Sequence, residues 1–179
     1  MGAIAPEARR PVVPLGEAHE DASIRWHADL ELRAALETTV APDPAGNRVY
    51  WQRRLADDRE RCYAVVEGGA HLGNCGLRVD AARGKAELWI YLGERRGEGI
   101  GTGAVEELLR VAFDELGLRR VSLRALGTNE GALAFWRTLG FLEEGRLRED
   151  TVVDGRPVDS VWFGMLRGEW ENRAGMGRR

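Results

Sequence analysis

The chain has 179 residues, 44% hydrophobic and 31% charged, which is the balance of an ordinary soluble domain with one substantial core. Its 26 basic and 29 acidic residues leave a net charge of −3, and the basic ones are scattered, which argues against nucleic acid as a partner. No apolar run reaches the roughly 18 residues that span a bilayer, and the start MGAIAPEARRP lacks the apolar stretch of a signal peptide, so a cytoplasmic protein with no membrane partner is expected.

Residues 1–10 show no periodicity and read as a disordered tail. PVVPL, at 11–15, fits a short edge strand, where proline is tolerated. From Glu20 to Glu37 the residues Ile24, Ala28, Leu32 and Ala35 recur at helical spacing, with Asp21 or Ser23 as a candidate cap. APDPAGN, at 41–47, reads as a break, and a second helix is expected from Val49 to Asp58.

The period then changes to two. CYAVVE, the turn Gly68-Gly69 and HLGNCGLRV form a hairpin signal, and AARG at 81–84 turns into AELWIYL at 86–92, so three strands form an antiparallel meander. Cys62 and Cys75 sit within these strands without disulfide-framework or metal-ligand spacing, and no metal is expected. In AELWIYL, Leu88, Ile90 and Leu92 face one way and Glu87, Trp89 and Tyr91 the other.

Next comes RGEGIGTG, Arg96 to Gly103, ahead of a helix with the apolar stripe Val105, Leu108, Leu109, Ala112, Phe113 and Leu116. Four glycines between a strand and a helix allow a ligand to approach the backbone, and the helix start offers unpaired N–H groups to an anion. The strand RRVSLRAL follows at 119–126, and strand–helix–strand implies a parallel pair with a right-handed crossover. Thr128 or Asn129 can cap a helix that runs to Leu139 and closes at Gly140. Two extended runs then flank Asp154-Gly155, a hairpin turn. Residues 169–179 read as a second disordered tail.

A P-loop is excluded because no Lys-Ser or Lys-Thr follows the glycines. A dinucleotide fingerprint fits Gly99, Gly101 and Ala104 but not its setting, since the next strand lacks the acidic residue that holds a ribose. Read as RxxGxG, the segment resembles the acyl-coenzyme A loop of the GNAT acetyltransferase superfamily. NEGALAFWRTLGF, at 129–141, is similar to that superfamily's second signature. Within it, AELWIYL and the terminal hairpin are most similar to the ribosomal-protein-alanine and spermidine N-acetyltransferases.

The resemblance implies an α/β fold for residues 11–168, with a mixed, mostly antiparallel sheet of six or seven strands, a central parallel pair and about four flanking helices. It implies acetyl-CoA, or another short acyl-CoA, as donor and a small-molecule amine or a peptide N-terminus as acceptor, in a monomer or homodimer. The alternative is a non-catalytic acyl-CoA-binding module. For the cofactor it implies the amides of Arg96, Gly97, Glu98, Gly99, Ile100 and Gly101, the hydroxyl of Thr102, the main chain of Tyr91 and Leu92, and, from the second signature, Asn129, Ala132, Trp136 and Arg137.

For chemistry, Glu87 is the expected base or substrate anchor, and the amide near Leu92 the expected oxyanion donor. Many members of the superfamily have Tyr at the position of Trp136, whose indole cannot serve as a proton source; Tyr91 is the candidate substitute. Trp26, His27, Trp51 and Trp89, with Glu87, are the candidate acceptor-binding residues, and acidic Asp29, Glu31 and Glu37 suit a cationic acceptor.

Overall fold

The computed structural model describes residues 11–29, 32–33 and 43–176; the expected leading tail, Glu31 and Glu37 lie outside them. Strands β1 (Val12–Pro14), β2 (Glu60–Glu67), β3 (Ala70–Asp80), β4 (Lys85–Leu92), β5 (Arg120–Leu126), β6 (Leu142–Val153) and β7 (Arg156–Leu166) form one sheet in the order β1-β2-β3-β4-β5-β7-β6. Every neighbouring pair is antiparallel except β4 and β5. The mixed sheet with a central parallel pair is therefore as expected.

Five helices are described: α1 (Glu20–Trp26), α2 (Pro44–Ala56), α3 (Ile100–Arg110, continued by a π turn at Val111–Glu115), α4 (Glu130–Thr138) and α5 (Arg167–Met176). The stripe read on α3 is real: Val105, Leu108, Leu109, Ala112 and Phe113 are fully buried, and only Leu116, beyond the π turn, lies at the surface. These side chains and Leu133, Trp136 and Leu139 of α4 cover one face of the sheet. Helices α1 and α2 lie on the other face, around a smaller cluster of Trp26, Leu32, Trp51 and Tyr91. At 25 cal/mol per Å², burying a Leu or Phe side chain is worth about 1.5–3 kcal/mol, so the larger cluster dominates the fold and the smaller one seats two helices.

Three local expectations need correction. Helix α1 ends at Trp26, and its entry is set by a 3-10 turn at Glu17–His19, with Gly16 N–H donating to His19 Nδ1 at 3.1 Å, rather than by Asp21 or Ser23. The second helix begins not at Val49 but at Pro44, inside APDPAGN, because extended Asp43 caps it by accepting from Gly46 N–H at 2.8 Å through Oδ1, and proline suits the first turn. The segment from Glu169, read as a tail, belongs to the helix Arg167–Met176. Trp170 stacks on Phe113 and its indole donates to Asp114 at 3.2 Å, a long-range anchor that local periodicity does not reveal.

Candidate functional site

The parallel pair is short. Lys85, Ala86 and Glu87 pair with Arg120, Val121 and Ser122, and there the β4–β5 ladder stops. β4 stays paired with β3 as far as Leu92, and β5 stays paired with β7 as far as Leu126. The two strands fork, and the β5-facing edge of Leu88–Leu92 has no strand partner. Backbone polar groups on such an edge are a template for an extended ligand that pairs as a strand does.

The open end of the fork meets the glycine loop. Gly97 and Gly99 hold φ of +84° and +82°, a region other residues enter only with strain, and a Cβ at either would project into open space. Gly101 has no such demand; a Cβ there would make ordinary contact with Phe135 and Leu92. Gly99 precedes α3, whose first amides are thus presented at a bare backbone with the positive end of the helix dipole behind them. Thr102 N–H bonds back to Gly99 O at 3.0 Å, and Ile100 turns into the core.

Side chains brace this loop. Arg95, itself at φ +53°, bonds Glu98 at 2.7 Å and Glu67 at 2.5 Å. Arg96 donates to Leu92 O at 2.9 Å and pairs with Asp29 at 3.1 Å. The guanidinium of Arg96 therefore ties the loop to β4 and to the segment after α1, leaving its main chain as the part directed at a ligand.

The second signature divides. Asn129 Oδ1 caps α4 by accepting from Ala132 N–H at 3.0 Å, which leaves its amide nitrogen as a donor. Trp136 is 6% exposed and packs edge-on against Phe135 and Phe141. Arg137, expected to reach a phosphate, is instead paired with Glu143 at 2.8 Å.

On the α1–α2 side, direct cross-strand neighbours share a face, so Glu60 (β2), Arg78 (β3), Glu87 (β4) and Ser122 (β5) form one row. Glu87 is exposed at the apex of the fork, with no ion pair to any described residue. Trp89, one pleat on, lies flat over β3 because Gly76 has no side chain; a Cβ there would sit 2.6 Å from the indole. Arg54 covers its other side at 4.2 Å from the ring centroid. The indole is thus held between the bare backbone at Gly76 and the Arg54 guanidinium.

Tyr91 is a further correction. Its hydroxyl accepts from Asn74 Nδ2 at 2.6 Å, Asn74 also donates to Ser23 Oγ at 2.8 Å, and Asn74 Oδ1 lies 2.8 Å from His71 Nε2. Burial pushes the phenol pKa well above its usual value. A phenol buried in this network is poorly placed to supply protons to the fork. The network itself was not foreseen, although Gly-Asn-Cys-Gly inside a strand is an odd enough run to have flagged Asn74.

Trp26, 4% exposed, covers Gly93 at the end of β4, and its indole N–H donates to Glu94 at 3.4 Å. Trp51 is 3% exposed. Both belong to the buried cluster that seats α1 and α2. His27 stacks on Trp51, and burial, helped by nearby Arg33, lowers its pKa. The Asn47 side-chain amide lies 2.5 Å from His27 Nδ1, which ties the ring to α2. Both cysteines are free; burial pushes the Cys62 thiol up to about 11 and Cys75 higher still, which makes them inert.

A forked parallel pair feeding a glycine-opened helix start defines a protein that holds an acyl carrier between strand edge and helix dipole. The pattern of the acetyltransferase (GNAT) domain matches residues 10–142, and the chain belongs to that family, whose donor is acetyl-CoA. YdaF of Bacillus subtilis, described as a candidate ribosomal N-acetyltransferase, is 35% identical over 74% of this chain and 70% of its own. The spermidine N(1)-acetyltransferase of Vibrio cholerae is 26% identical over 69% of this chain and 73% of its own. Among solved structures, the spermidine N-acetyltransferase of Vibrio cholerae in complex with CoA and spermine superposes with a TM-score of 0.84 at 20% identity, covering 90% of this chain and 97% of that one. An acetyltransferase from T. thermophilus gives 0.78 at 28% identity, covering 96% and 95%.

Proposed function

We propose that this protein transfers an acetyl group from acetyl-CoA directly to a primary amine. The observation that carries the reading is the loss of β4–β5 pairing after Glu87, immediately upstream of the bare amides at Gly97–Gly101. The unpaired edge of β4 suits the amide-bearing arm of the cofactor, the α3 start suits its pyrophosphate, and the amide nitrogen of Asn129 suits the arm from the β5 side. When bound, the cofactor supplies an activated thioester carbonyl to the fork.

The chain's own groups then have three tasks. Glu87, at the apex, takes a proton from the incoming ammonium, directly or through water, because only the neutral amine has a lone pair to attack with. A main-chain N–H near Leu92 donates to the carbonyl oxygen as negative charge builds on it. For the leaving thiolate, neither the Trp136 indole nor the buried Tyr91 phenol is a proton source, so departure relies on amides and water. General acid catalysis is worth about 10²–10⁴-fold, so its absence slows turnover without abolishing it.

The same shortage favours the second reading, a CoA-binding module without turnover. Release of free thiol from acetyl-CoA across an amine panel separates them: release with any amine supports transfer, and CoA binding with no release on any acceptor supports the module.

A further inference from the structure

We propose that the acceptor carries a carboxylate a short distance from its reacting amine, so that this site takes a zwitterion and disfavours a polyamine. This rests on the acetyl-transfer reading of the fork. The argument starts from a cavity of about 480 Å³ between α2 and the sheet, whose lining includes Tyr50, Arg53, Arg54, Asp57, Glu60 and Arg78. Neighbouring strands lie about 4.8 Å apart, and Arg78 is directly opposite Glu87, so the cavity begins one strand from the apex.

The lining is short of negative charge. Buried Glu60 serves both Arg54 at 3.1 Å and Arg78 at 3.6 Å. Asp57 is taken by Arg59, in two bonds of 2.7 and 2.9 Å. Arg53 is exposed, with no ion-pair partner among the described residues. Three guanidinium groups thus share one carboxylate, and two of them are mostly unanswered. Beneath the lining the Trp51 and Trp89 rings support the Arg54 guanidinium, at 6.0 and 4.2 Å from their centroids.

A surplus of donors and positive charge is costly to desolvate unless an acceptor-rich group meets it, and guanidinium forks match carboxylates. A second ammonium would gain nothing there. Glu87 on one side of Arg78 and the open guanidinium groups on the other thus set a polarity, with amine at the fork and carboxylate toward α2. Asp29, which as a free acid would argue for a polycation, is paired with Arg96 instead.

A matched panel of 5-aminopentanoate, pentylamine and 1,5-diaminopentane tests this by thiol release and by calorimetric titration into CoA-saturated protein. The expected result is at least tenfold higher kcat/KM for 5-aminopentanoate than for the diamine, with Arg53→Glu inverting that ratio. Turnover with the diamine preferred, or a ratio untouched by Arg53→Glu, overturns the proposal while leaving acetyl transfer standing. Binding of 5-aminopentanoate but not the diamine, without turnover of either, upholds the carboxylate site and removes the transfer reading. Failure of 5-aminopentanoate both to bind and to react overturns the proposal.

Discussion

Gly99 combines positive φ with open space above it, so Gly99→Val strains the loop and fills the approach to the α3 amides. Titration with CoA is expected to show binding lost, with the melting temperature lowered by a few degrees from backbone strain of about 1–3 kcal/mol. Glu87 is exposed and has no ion pair among the described residues, so its substitution perturbs the fold little. Glu87→Gln is expected to lower kcat by about 10²-fold or more, with CoA affinity unchanged. Thiol release at saturating acceptor measures it, and an unchanged kcat would remove Glu87 as base. Tyr91→Phe tests the reassignment of the phenol. It leaves a buried Asn74 N–H short of an acceptor, so the expected loss is about 1–3 kcal/mol in denaturant unfolding, with kcat at saturation near that of the native chain.

At the scale of elements, the α1–α2 face of the sheet depends on aromatic rings laid over bare backbone. Trp26 on Gly93 joins α1 to the end of β4, and Trp89 on Gly76 fixes the floor beneath α2. Gly76→Ala puts a methyl 2.5 Å from Arg61 O as well as against the indole. Backbone on one side and a guanidinium-covered ring on the other leave it nowhere to go, so a destabilisation of about 1–3 kcal/mol or more is expected, read as a lower denaturation midpoint. The fork has the opposite logic. Its two arms are each held by an outer antiparallel partner, β3 and β7, so the open edge of β4 persists without a ligand to close it. That is why a site can sit in the middle of a sheet rather than at its rim.

For the whole molecule, two half-buried histidines set the pH response near neutrality. Burial lowers the pKa of His71 and of His27 below the ordinary 6.5. Between the folded and unfolded values the unfolded chain binds more protons, so stability is fully present above about pH 6.5 and falls as pH drops through the depressed values. Melting temperatures should therefore decline from pH 7.5 to 5.5, and His71→Gln should flatten that slope. Carboxylates held low by arginine, such as Asp80 and Glu144, titrate below the ordinary carboxylate range and add a separate loss in acid.

Element types, sheet class and donor loop were legible because each rests on local pattern: period two in AELWIYL, period 3.6 after Gly103, glycines between them. The second signature was legible as a helix with its cap, and Asn129 does cap. What the sequence left open was decided by contacts between distant segments. Asn74 meeting Ser23 drew the Tyr91 phenol into a buried network, Gly76 and Arg54 enclosed Trp89 between them, and Glu143 drew Arg137 away from the loop. The sequence by itself determined the acyl carrier, since a bare helix start after a strand is a local device. Only the tertiary structure bears on the proposed acceptor, because the charge surplus around Glu60 comes into being when α2, β2 and β3 are brought together.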